Sequence, residues 1–164
     1  MGLLLIFGMT AVAVAIIVIA VMRHDAKVKS LVAVGKCANR ERTFWMQQTV
    51  FASSVGNIDN VYAALDKGIL HEFGIVHGYQ PGDSVSFALK VPGGSFSSAL
   101  RAAAPDGDKM ACIYQIEQYS GTGGYMKPKC LVAANVLLTA IEKAFYYLDG
   151  SAYVTRHTAT FQSY

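Results

Sequence analysis

The sequence predicts an α+β protein: an N-terminal transmembrane helix, then one antiparallel sheet in the order β-α-β-β-β-α-β, covered by two helices. Three observations carry that prediction. Residues 2–22 contain no charged side chain. Residues 84–119 alternate apolar and polar side chains between tight turns, and residues 129–148 repeat apolar side chains at helical spacing. The chain divides accordingly into an anchor (1–22), a basic juxtamembrane helix or linker (23–42) and a soluble α+β domain (43–164).

At about 1.5 Å per helical residue, the first run reaches roughly 30 Å, the thickness of a bilayer's hydrocarbon core. A cleaved signal peptide would need a charged start, a short apolar centre and small residues at its end. Here nothing charged precedes the run, and Val21-Met22-Arg23 closes it. A buried core helix would carry a polar face, which this segment lacks. Ile6 stands where a myristoylation signal wants Ser or Thr. Ala11 and Ala15 have the small-xxx-small spacing that lets membrane helices pair.

Residues 23–42 read as a helical continuation, with Val28, Leu31, Val32 and Gly35 along one side. This stretch holds six bases against two acids, whereas residues 43–164 hold eight bases and nine acids. A body so nearly neutral is not a nucleic-acid-binding surface, and no nucleic-acid partner is expected. Basic residues beside a span favour the cytoplasmic side. The expected location is therefore a single-pass membrane protein with its soluble domain in the cytoplasm, and Arg23, Lys27, Lys29 and Lys36 facing anionic headgroups of the lipid bilayer.

In the body, Thr43–Ala52 is rich in aromatic and β-branched residues and predicts a strand. Phe44 and Trp45 within it are expected in the sheet core, with the membrane interface as the alternative. Ser53–Asn57 turns the chain, and Asn57 caps a helix over 58–70 marked by Ile58, Val61, Tyr62, Leu65 and Ile69. His71–Gly82 reads as irregular, punctuated by Gly74, Gly78 and Pro81-Gly82. Val85, Phe87, Leu89 and Val91 then mark a half-buried strand. Turns at Pro92-Gly93-Gly94 and Pro105-Asp106-Gly107-Asp108 join it to two more strands, completing an antiparallel meander. Ser120–Gly124 opens the chain before a helix from Lys129 to Leu148, with Gly150 at its end and a last strand over Ala152–Ser163. Phe145, Tyr146 and Tyr147 are consecutive, so at least one points away from the core.

Few residues suggest chemistry. Gly121, Gly123 and Gly124, followed by Lys127 and Lys129 ahead of a helix, are the candidate ligand-binding stretch: glycines let backbone amides approach an anion, and the lysines and helix terminus attract it. The Gly-Lys-Ser/Thr of a nucleotide loop is absent. Cys130 sits in the first helical turn beside Lys129, where dipole and cations would lower its pKa. His24, His71, His77 and His157 have no metal-ligand spacing, the serines lie in no nucleophile elbow, and Asp106 and Asp108 simply flank a turn glycine. No catalytic residue, metal or cofactor is expected. Three cysteines, Cys37, Cys112 and Cys130, are too few for a disulfide framework and are expected reduced, a Cys112–Cys130 bridge being the alternative.

A long helix on a curved sheet resembles the helix-grip, lipid-carrier-like architecture, which implies an apolar ligand between helix and sheet; those folds end on their long helix, whereas this chain adds a strand. The apolar N-terminal helix ahead of an α+β head also resembles pilin-like filament subunits, with Leu5 where the bacterial type IV pattern has an acidic residue. That resemblance implies an extracellular head and the Cys112–Cys130 bridge. The expected function is a membrane-anchored, non-catalytic binding or scaffolding module for a protein partner or an apolar small molecule. The filament subunit and a thiol-dependent enzyme or redox sensor using Cys130 are the alternatives.

Overall fold

The computed structural model describes residues 2–122 and 125–158. Helix α1 runs unbroken over Gly2–Ala33. It stops at Gly35, not beyond it, because Gly35 takes φ +69°, a left-handed conformation that only glycine adopts freely. The Gly35 amide donates to the Val32 carbonyl at 2.9 Å and the Lys36 amide to Leu31 at 2.8 Å, which satisfies the last carbonyls of the helix. Gly35, expected on a helix face, is the stop signal. From there residues 34–43 run as an irregular strap along the head.

The head orders its elements as β1 (Gln47–Ser53), α2 (Ile58–Ala64), α3 (Lys67–Glu72), β2 (Val76–Gln80), β3 (Ser84–Val91), β4 (Gly94–Asp106), β5 (Lys109–Thr122), β6 (Tyr125–Met126), α4 (Pro128–Leu148) and β7 (Tyr153–Thr158). Six strands form the path β2-β3-β4-β5-β1-β7, and β6 pairs with β5. Every pairing is antiparallel. The α+β class and its antiparallel sheet are as the sequence predicts.

Four elements differ from expectation. A 3-10 turn, Phe44–Met46, precedes β1, so the aromatic pair lies before the strand. The helix expected over 58–70 is two helices, because Leu65 is extended and the Asp66 carboxylate caps a new start by accepting from the Ile69 amide at 3.1 Å. Residues 76–80, expected irregular, pair with β3 as an edge strand whose Gly78 hides the alternation. Strand β5 runs through Gly121 and folds back onto β6 where an open loop was expected. The last strand matches through Thr158; its expected continuation to Ser163 lies outside the described residues.

The inner face of the sheet presents Phe51, Val85, Phe87, Leu89, Leu100, Cys112, Tyr114 and Ile116 to α4, which answers with Ala134, Leu137, Leu138, Ile141 and Phe145. Phe51 and Phe145 stack with ring centroids 4.4 Å apart. These side chains fill the space between sheet and helix. Helices α2 and α3 cover one flank of α4 through Ile58, Val61 and Leu70. The strap covers another. Helix α4 is itself apolar and long enough to cross a membrane, yet it is mostly buried inside the head, as a core helix is.

The strap is held by a polar stripe on α4. Asn135, Thr139, Glu142 and Lys143 recur at i, i+4, i+7 and i+8, one helical face. The Thr139 hydroxyl accepts from the Ala38 amide at 3.0 Å, and the Asn135 side-chain amide donates to the Ala38 carbonyl at 3.0 Å. Arg40 donates to Asn135, Thr139 and Glu142, and its side chain is only 5% exposed. Lys143 donates to the Gly35 carbonyl.

Candidate functional site

The described part of the candidate ligand stretch is divided between a strand pairing and a helix start. Gly121 lies inside β5, where a Cβ would sit 1.8 Å from the Tyr125 carbonyl oxygen; glycine is there to let the two strands of the hairpin meet. Gly123 and Gly124 lie outside the described residues. Lys127 stands at the N-cap of α4, and Lys129 is exposed one residue after the N-terminal Pro128. Cys130 turns inward and is fully buried, its sulfur beside Gly94. Burial pushes its thiol up, opposite to the lowering expected from the helix terminus. Burial likewise raises Cys37 and pushes Cys112 up to about 11. All three cysteines are free.

The basic flank is partly used by the head. Lys36 pairs with Glu72 at 2.7 Å, Arg42 with Asp25 at 2.7 Å, and Arg40 with Glu142. Arg23, Lys27 and Lys29 are exposed on α1. Of the four residues expected at the membrane surface, Lys36 is thus turned toward α3, and three keep outward-facing charge.

What the structure does assemble is a slot where α1 meets the head. One wall is α1 itself, through Ile17, Ala20, Val21 and His24, residues on a single helical face. The opposite wall is Trp45 from the 3-10 turn, Met126 from β6 and Leu131 from α4, enclosing about 280 Å³. Trp45 is held by an edge-on contact with Tyr119, centroids 4.5 Å apart. Tyr125 stands at the rim, 76% exposed. Further along α1 a second cleft of about 150 Å³ opens beside Asp25, Val28 and Lys29, and faces Arg40, Arg42 and Asn135. The two share His24, Arg42 and Leu131, so they form one slot, apolar at Ile17–Val21 and polar at His24–Lys29.

Two nitrogens among these lining residues lack a hydrogen-bond partner although they are buried: Nδ1 of His24 and Nε of Arg40. Buried polar atoms are ordinarily satisfied, so these two enclosed atoms are exceptions at the polar end of the slot. None of this was assembled from the sequence. The signal that points to it is the coincidence of His24 with the apolar face of α1 and of Asn135 and Thr139 with an otherwise apolar helix.

Among the described residues no three metal-ligating side chains gather. The Ser53 and Ser151 hydroxyls and the Ser54 and Ser151 amides all donate to Asp149 at 2.6–2.9 Å, fixing the turn after α4. Tyr146 and Tyr147 are both exposed at the end of α4, while Phe145 faces the core. No family model matches the chain, and no curated protein or solved structure matches it either.

Proposed function

We propose that the chain is a single-span membrane protein whose head is a non-catalytic binding module held against the bilayer surface, on the cytosolic side. One observation carries the reading. Helix α1 leaves the head bare, with Met9, Val12, Val14, Ile16, Ile17, Val18, Ile19 and Met22 exposed. Removing eight such side chains from water at about 1.5–3 kcal/mol each is worth about 12–24 kcal/mol, as much as or more than the whole stability of a typical domain. Such a helix needs a cover, and its length suits a hydrocarbon core.

The same helix continues without a break past the apolar run to Ala33, where the strap takes the chain into the head. Exposed Arg23, Lys27 and Lys29 support a cytosolic head. The buried, raised thiols speak for binding in place of thiol chemistry. Protease treatment of intact and lysed cells carrying a C-terminal tag tests the reading. Protection in intact cells is expected; digestion there would overturn the cytosolic side and favour a surface-exposed, filament-type head.

A further inference from the structure

We propose that the slot between α1 and the head seats one phospholipid of the surrounding leaflet. Its acyl chain lies between Ala20 and Trp45, and its phosphate sits among His24, Arg40 and Arg42. The proposal rests on the membrane-anchored reading above and deepens it by naming the ligand.

The occupant follows from what the slot is made of. One apolar wall belongs to the spanning segment, so this end opens where the surrounding medium is lipid hydrocarbon. Along the direction that leads out of the span, the lining changes from Ile17, Ala20 and Val21 to His24, Asp25 and Lys29. A phospholipid changes from chain to headgroup along the same line. At about 1.5 Å per residue, the step from Ile17 to His24 is roughly 10 Å, enough for the upper part of one acyl chain.

The polar end is chemically matched to a phosphodiester. Arg42 lines both cleft and slot, with its guanidinium half exposed and shared with Asp25. Arg40 adds a second positive charge behind this wall, its Nε enclosed and its terminal nitrogens bonded to Asn135, Thr139 and Glu142. A phosphate oxygen accepts from such donors, and arginine presents them in a fixed fork. Asp25 and Glu41 on the same rim leave room for a headgroup ammonium beside the phosphate. Water alone does not account for the apolar end: one water needs about 10–15 Å³ and two to four polar partners, whereas this end holds about 280 Å³ lined largely by carbon. A soluble peptide would have to enter the bilayer to reach Ile17.

Trp45 is the single tryptophan, which makes the slot directly readable. The full chain is reconstituted in phosphatidylcholine vesicles brominated near the top of the acyl chains, and Trp45 fluorescence is compared with that in unbrominated vesicles. Strong quenching is expected. Ala20→Phe, which fills the slot, should at least halve it. Ile19→Phe, on the far side of α1, should leave it unchanged. Ala20→Leu gives a graded filling that settles the matter where the larger side chain disturbs folding. Flotation of the same vesicles reads anchorage separately. Floating protein that is unquenched, or quenched equally in all variants, overturns the lipid seat alone. Protein that fails to float overturns the anchored reading and the proposal with it.

Discussion

Arg40→Met isolates the buried charge that ties the strap to α4. The substitution keeps much of the side-chain volume and takes the Arg40 guanidinium away from Glu142, whose side chain is 14% exposed. It also removes donors from Asn135 and Thr139. Removing one partner of a buried pair costs about 3–5 kcal/mol. Glu142 keeps some access to water, so the low end, about 3 kcal/mol, applies. For a chain of this size each kcal/mol moves Tm by about 2–4 °C, giving an expected fall of about 6–12 °C. Replacing both partners, Arg40→Met with Glu142→Leu, leaves no orphaned charge and should recover most of that loss, with a coupling energy of about 2–3 kcal/mol. Thermal unfolding of the full chain in detergent, followed by circular dichroism and Trp45 emission, measures all four corners of the cycle. A single-variant loss below about 1 kcal/mol, the scale of a surface ion pair, would refute the claim that this charge is buried and structural. So would a double variant no more stable than the single one.

Phe145→Ala removes a fully buried ring stacked on Phe51 and should cost about 3–5 kcal/mol in denaturant unfolding, with little change in slope. The Asp149 carboxylate is held well below the ordinary aspartate value, first by the Ser151 hydroxyl and then by the Ser54 and Ser151 amides and the Ser53 hydroxyl. A depressed carboxylate contributes stability that is intact at neutral pH and drains away as pH falls below about 3.8 toward the lowered native value. Asp149→Asn should therefore lower Tm at pH 7 and flatten its fall in acid; parallel Tm–pH curves would contradict this. In the folded chain Cys37, Cys112 and Cys130 should all react far more slowly with an aromatic disulfide than in denaturant, because all are buried and all have raised pKa values. One rapidly titrating thiol would show that a cysteine is accessible after all.

Sequence patterning made the strands legible where one face is buried and the other wet. Ser84–Val91 alternates so cleanly that its bounds coincide with β3. Strand β2 is invisible to the same test because it is an edge strand, largely exposed on both faces, with Gly78 at its centre. The split between α2 and α3 hides behind a helical apolar spacing that continues across it: Leu65 and Ile69 fit one helix, yet Asp66 caps a second. The slot was not legible, since its walls come from residues 17–24, 42–45 and 125–131, and only the tertiary fold brings these together. The juxtamembrane stretch reads as basic, but a cation looks the same in sequence whether its side chain is exposed, as that of Lys27 is, or pairs with a glutamate on α4, as Arg40 does.

Two helices of this chain, α1 and α4, pass the same test of length and apolar composition, and only what covers them separates their roles. Helix α4 carries Asn135, Thr139, Glu142 and Lys143 on one face, and each finds a partner on the strap. Its apolar faces meet the sheet and the two short helices. Between Met9 and Met22, α1 carries no charged side chain, so nothing on this stretch could direct it into the head as the polar stripe directs α4. Its residues from Met9 to Ala20 are all exposed, and the head approaches it along the slot lined by Ile17, Ala20 and Val21. The strap links these two arrangements. It pins residues 38–40 to α4, a few residues after the Gly35 stop that ends α1. The polar stripe buried in the head and the apolar slot beside α1 are in that sense linked: the hydrogen bonds of Asn135 and Thr139 hold the strap whose other end leads into α1.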